Sequence, residues 1–161
     1  SRFKDYFPTI VVSCQHKFAL APNICQIPDI FNDQYLGPVA AIISSIIYLS
    51  QKLPDIDSSI IIPVDMPYLD IENLTDLASA AKEISHYDNS PLPLFLKLNS
   101  DIINFAKKTV VSMTEGENYS LHRFLAEIGK NKRIIASPPD PALANLNYPE
   151  QWEEFYNETT M

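Results

Sequence analysis

Glycine is scarce in this chain of 161 residues, with 3 in all, about 2% where ordinary usage is roughly 7%. Loops that cradle phosphate depend on glycine, because backbone N–H groups crowd around a phosphate only where no side chain intervenes. Neither GxGxxG nor GxxxxGK[ST] occurs. Cysteine is scarcer still. Cys14 and Cys25 stand too far apart for a CxxC pair and no His or Cys cluster accompanies them, so neither a zinc site nor a disulfide framework is supported. A reducing cytoplasm is the expected compartment. His16, His86 and His122 share no spacing that points to a metal site or a catalytic triad. Positive charge is short as well, with 12 basic residues against 20 acidic and a formal charge of -8, a poor basis for holding a polyanionic duplex. Nucleic acid is excluded as a partner. No run approaches eighteen consecutive apolar residues and the first residues lack a signal-peptide pattern, so no membrane association is expected. Asn73-Leu-Thr, Asn118-Tyr-Ser and Asn157-Glu-Thr match the glycosylation triplet, which matters only in a secreted chain.

What the chain does have is 46% apolar residues and 20% charged ones, ordinary for a globular domain with a sizeable core. No repeat, low-complexity tract or linker divides it, so residues 1–161 are expected to form a single domain. Thr9 to Ser13 is a β-branched run with the composition of a buried strand, and Ile24 to Ile27 is a second. Gly37-Pro38 opens a long apolar stretch to Lys52 that suits a helix packed on a sheet, with proline where a helical N–H is dispensable. Ser59-Ile-Ile-Ile-Pro-Val64 reads as a central parallel strand, apolar on both faces. Ile71 to Ile84 is predicted helical, Leu92 to Leu98 a strand, Asp101 to Lys108 a short helix, and Ser120 to Ile128 a helix with Gly129 at its C-cap. Arg133 to Ala136 offers a last strand, and Pro149 to Tyr156 a closing helix. Strands alternating with helices predict an α/β fold with a mostly parallel sheet.

Ligands of open parallel sheets bind beyond the carboxyl ends of the strands. Asp65 follows such an end directly, and Met66-Pro67 then turns the backbone away, so its carboxylate is expected to project where Mg²⁺ would sit between protein and substrate phosphates. The alternative is that Asp65 caps the Ile71 helix or its loop. Asp29 and Asp33 precede Gly37-Pro38 near a helix N-terminus, placed to accept from a base edge or ribose hydroxyls, or simply facing water. Asn145-Leu-Asn147 precedes the closing helix, and Asn147 is a candidate cap for it. Ser44-Ser45 is read as tight packing, His122-Arg123 as a solvated helix face, and Trp152, Phe155 and Tyr156 as a packing stripe.

Taken in order, these pieces resemble the molybdenum cofactor guanylyltransferases, a family with a nucleotide-diphospho-sugar-transferase-like fold. Ile10-Val-Val-Ser-Cys-Gln15 is similar to the family's second strand. Pro28-Asp29 followed by Leu36-Gly-Pro-Val-Ala-Ala41 is similar to its acidic loop and Gly-Pro-Leu-Ala-Gly helix start. Ile62-Pro-Val-Asp-Met-Pro-Tyr-Leu69 resembles its Pro-Cys-Asp-Met-Pro-Phe-Leu strand end. Pro91-Leu-Pro-Leu-Phe-Leu96, Ser120-Leu-His-Arg-Phe-Leu125 and Asn145-Leu-Asn-Tyr-Pro-Glu150 resemble the later strand, the helix after it and the terminal Asn-Ile-Asn-Thr-Pro-Glu. The Asp-Met-Pro and Asn-x-Asn-x-Pro-Glu elements are the most diagnostic.

The resemblance implies a three-layer, mostly parallel Rossmann-like sheet. It also implies a reaction in which the terminal phosphate of molybdopterin attacks the α-phosphate of GTP and releases pyrophosphate. In that reading Asp65 is the catalytic carboxylate and Mg²⁺ ligand, Asp29, Gly37 and Pro38 border the nucleotide, and Ser13 adds a contact at a strand tip. Asn145 and Asn147 face the pterin-side phosphate, and molybdoenzymes or their chaperones receive the product. The family begins with a strand, a Gly-Gly-x-Ser-x-Arg-Met-Gly loop and a helix, which this sequence lacks; these amount to roughly 30 residues, the scale of a βαβ unit. Ala41 also replaces a family glycine, and against the family pattern the strand before Pro91 is shortened, with only Ile84 to Tyr87 left for it. The expectation is a domain missing its N-terminal strand, since a sheet without its central strand leaves backbone groups unpaired. The alternatives are a related transferase using CTP or another acceptor, and a degenerate, non-catalytic member that acts as a binding partner.

Overall fold

A computed structural model describes residues 3, 5–14, 19–20, 24–31, 37–128 and 132–159. Asp33, His16 and the Gly129 cap lie outside the described residues. The chain is α/β, with two open sheets and five helices among the described residues. Strands β1 (Ile10–Ser13) and β2 (Ile24–Ile27) pair in parallel, Ile10 opposite Ile24 and Ser13 opposite Ile27. Strands β3 (Ser58–Ile61), β4 (Ile84–Tyr87), β5 (Leu94–Lys97) and β6 (Lys132–Ile135) form the second sheet in the order β3-β5-β4-β6.

Side chains alternate across this sheet with the strand period of two. Leu94 and Leu96 face one side with Ile84, where they pack on helices α1 (Pro38–Lys52), α3 (Ser100–Thr114) and α4 (Leu121–Glu127). Phe95 and Tyr87 face the other side and pack on Leu77 of helix α2 (Ile71–Ala80). Val39, Ala40, Ile42, Ile43, Ile46 and Leu49 form the buried stripe of α1. Each large aliphatic side chain among them stabilises the fold by about 1.5–3 kcal/mol relative to exposure, which fixes this helix as the centre of the main core. Val11 of β1 and Ile61 of β3 both pack into that core. A second core joins Met66, Leu69 and Leu74 to Phe3, Phe7, Ile60, Ile62 and Leu143.

Local sequence explains the helix starts. Gly37 takes φ 73°, ψ -171° just before Pro38, a conformation open to glycine, and the proline occupies a position with no N–H to lose. Asp70 and Asn73 cap α2 reciprocally, Asn99 caps α3, and Ser120 caps α4. Helix α3 extends well past the predicted Lys108. Its Thr109 and Met113 are buried, and that packing overrides the modest helix propensity of Thr109-Val110-Val111. Helix α2 stops at Ala80, short of Ile84, because Ile84 is taken up by β4.

The sheet pairing departs from the mostly parallel expectation. β1–β2 and β4–β6 are parallel, whereas β3–β5 and β4–β5 are antiparallel. The reason is the connection from β4 to β5, Asp88 to Pro93, which is shorter than the dozen or so residues a parallel crossover needs. β3, expected at the centre, has β5 as its one neighbour among the described residues. No helix among the described residues is long and apolar enough to cross a membrane.

Candidate functional site

β3, β4 and β6 run in the same direction, because β5 is antiparallel to both β3 and β4 and β6 is parallel to β4. Their carboxyl ends therefore open on one edge, where ligands of α/β sheets bind. β3 ends at Ile61, short of the predicted Val64, so Asp65 lies not directly at the strand end but four residues beyond it, in a turn. Val64 beside it is 88% exposed, Met66 and Pro67 are buried, and Asp65 itself is half-buried. The helix cap that competes for its role is provided by Asp70, whose carboxylate accepts from Asn73 N–H at 2.8 Å. The Asp65 carboxylate has no hydrogen-bond or ion-pair partner among the described residues.

The chain returns to this point near its end. Leu146 N–H donates to the Asp65 carbonyl at 2.8 Å, and Leu146 is buried. The Leu146 carbonyl accepts from Trp152 Nε1–H at 3.1 Å, in helix α5 (Pro149–Thr159). Tyr68 stacks edge-on against Phe155 at 5.0 Å and donates to Glu158 at 3.4 Å, so α5 is also held to the loop that carries Asp65. Trp152 and Phe155 thus act as packing, as predicted. Asn147 is not the cap of α5. Gln151 reaches back instead, and its Oε1 accepts from Asn147 N–H at 2.8 Å and Tyr148 N–H at 3.0 Å. Asn145 and Asn147 are exposed on either side of Leu146.

A second group lies beyond β2. Asp29 Oδ1 accepts from Phe31 N–H at 3.1 Å and lies 3.2 Å from the Ser44 hydroxyl of α1. Ser44 accepts from Ile30 N–H at 2.9 Å and lies 2.7 Å from the Ala40 carbonyl. Ser44 is therefore the anchor of the Asp29 loop as well as a packing residue, a role visible in the sequence only as a hydroxyl on an apolar helix face. Ser13, opposite Ile27 in the register, has a buried hydroxyl with no partner among the described residues. Gly37 and Pro38 start the same helix, half-buried and exposed. The structure thus joins the Asp65 loop to the segment that carries Asn145 and Asn147, and holds the Asp29 loop, next to the end of β1, on Ser44 of the helix that Gly37 and Pro38 start. No hydrogen bond joins the two groups among the described residues.

Other polar clusters are self-satisfied. Arg123 pairs with Glu117 at 2.8 Å and Glu127 at 2.9 Å and stacks on Tyr119 at 4.0 Å, so its charge is already engaged. Tyr119 and Arg123 hold the Glu127 carboxyl below its ordinary range. At the carboxyl ends of β4 and β6, Asp88 accepts from Ser137 N–H at 3.1 Å and from its hydroxyl at 2.5 Å. The Ser137 hydroxyl bond is the largest cause of a lowered Asp88 pKa.

No group of three or more His, Cys, Asp or Glu side chains suited to a metal occurs among the described residues. A lone unpartnered carboxylate at Asp65 fits a hard cation that draws its remaining oxygens from substrate and water. Neither the protein-family models nor the curated proteins compared with this chain match it.

Proposed function

We propose that this chain is a molybdenum cofactor guanylyltransferase, transferring GMP from GTP to molybdopterin, with a three-layer, nucleotide-diphospho-sugar-transferase-type sheet. The observation that carries the reading is the hydrogen bond from Leu146 N–H to the Asp65 carbonyl. It joins the two motifs that are most diagnostic in the resemblance, far apart in sequence, and the Asp65 carboxylate and both asparagine side chains have no competing partner among the described residues. Further support comes from the sheet edges. β1 pairs with β2 alone and β3 with β5 alone among the described residues, while α1 packs on both sheets.

In the reaction an oxygen of the molybdopterin terminal phosphate bonds to the α-phosphorus of GTP, the α–β phosphoanhydride bond breaks, and pyrophosphate departs with its electron pair. Asp65 would hold Mg²⁺, which supplies neutralisation of charge on the phosphates when bound. Asn145 and Asn147 hold the acceptor phosphate by side-chain N–H donors, and pinning of Leu146 to the Asp65 loop sets their distance from the reacting phosphorus. Asp29 accepts from a donor on the nucleotide, and Ser13 offers its hydroxyl beside it.

The test is pyrophosphate release by the full-length gene product with molybdopterin and either GTP or CTP. Turnover with GTP that needs Mg²⁺ supports the assignment. Turnover with CTP alone replaces it with a cytidylyltransferase, and binding of molybdopterin without turnover replaces it with a non-catalytic partner.

A further inference from the structure

The Asp29 carboxylate is tied down through one oxygen. Oδ1 accepts from Phe31 N–H and faces the Ser44 hydroxyl, whereas Oδ2 has no partner among the described residues. Ser44 is 3% exposed, so water does not substitute for its hydroxyl. A serine hydroxyl carries one hydrogen and two lone pairs. Here the oxygen accepts from Ile30 N–H, and the hydrogen has two acceptors in reach, the Ala40 carbonyl and Asp29 Oδ1. One buried side chain on a rigid helix therefore holds two successive features of the loop, the Ile30 backbone and the Asp29 carboxylate.

We propose that Ser44 is a positioning residue for the nucleotide: it pins Asp29 Oδ1 inward and so presents Oδ2 to a donor on GTP. The inference rests on the nucleotide role proposed for Asp29. Oδ1 takes the Phe31 N–H and shares the single Ser44 hydroxyl hydrogen with the Ala40 carbonyl, so Oδ2 is the oxygen left open to the ligand. A helix-borne anchor is suited to this task, because residues 28–31 have no regular structure of their own and a carboxylate on an unpinned loop loses affinity to conformational freedom.

The experiment measures steady-state kinetics of full-length Ser44→Ala, Asp29→Ala and the double variant, with GTP varied. Ser44→Cys, close in size and a weak donor, serves as a second probe of the site. Ser44→Ala raises KM for GTP about tenfold and leaves kcat within about twofold, as loss of a hydrogen bond to a charged group implies. In the Asp29→Ala background the same change has no further effect, the mark of action through Asp29. Backbone amides of Ile30 and Phe31 exchange faster in Ser44→Ala and Ser44→Cys. An unchanged KM in Ser44→Ala, alongside a raised KM in Asp29→Ala, overturns the positioning role and leaves the nucleotide reading intact. Absence of GTP turnover in the wild type overturns both.

Discussion

The backbone N–H of Leu146 donates to the backbone carbonyl of Asp65 at 2.8 Å, so the loop after β3 and the segment before α5 are joined through main chain. Neither side chain is needed for the junction. Replacement of the half-buried Asp65 side chain therefore leaves this junction in place.

Asp65→Ala is expected to lower pyrophosphate release by about a hundredfold or more, the scale of losing a preorganised electrostatic contact in a transfer reaction. Its thermal midpoint should stay close to wild type, because the bond to Leu146 survives. Activity within a few fold of wild type would refute the role.

Asn145→Ala and Asn147→Ala test the acceptor side. Both side chains are exposed and neither caps α5, so stability should be unchanged within about 0.5 kcal/mol. KM for molybdopterin should rise about tenfold in each variant with KM for GTP unaffected. Gln151→Ala is the control that acts through position, since it frees the Asn147 and Tyr148 N–H groups and should cost about 1 kcal/mol, as losing a helix N-terminal cap does.

Gly37→Ala isolates backbone strain. At φ 73°, ψ -171° the residue lies in a region other residues almost never occupy, and a Cβ there meets nothing within 4 Å. The cost is conformational alone, about 1–3 kcal/mol in chemical denaturation. A neutral substitution would show that the start of α1 relaxes freely.

The elements are legible in the sequence where periodicity alone decides them. β2 has the predicted bounds, Ile24–Ile27, and α1 begins at the predicted Gly37-Pro38, whereas the bounds of β4 come from the resemblance, since the periodicity runs a helix on to Ile84. Pairing direction is less legible from composition. Leu94 to Lys97 has the apolar run of a parallel strand, and what turns it antiparallel is the short span from Asp88 to Pro93. The candidate site is legible only as ordered motifs. Nothing in the spacing of Asp65 and Leu146 brings them together, because a contact between backbone groups leaves no trace in residue type. Ser44 is illegible for a related reason. A serine inside an apolar helix reads as packing until the loop that it holds is in place.

The last prediction concerns alkaline stability. Tyr87 is 2% exposed, and its hydroxyl donates to the Asn73 carbonyl of α2 at 2.8 Å. Burial, with the charges of Asp76 and Asp70, pushes its pKa up from 10.0 to about 12. A group whose folded pKa is raised stabilises the fold fully below its unfolded pKa and loses that contribution as pH rises through the folded value. The Tyr87 contribution is thus complete below pH 10 and lost between about pH 10 and 12, because an anion there faces two carboxylates and cannot donate to Asn73. Tyr87→Phe removes both the hydrogen bond and the titration, so it should cost about 1 kcal/mol at pH 8. Denaturation curves of the two proteins should then converge as pH rises from 10 to 12. A deficit in Tyr87→Phe that stays constant across this window would show that ionisation of Tyr87 is not coupled to folding.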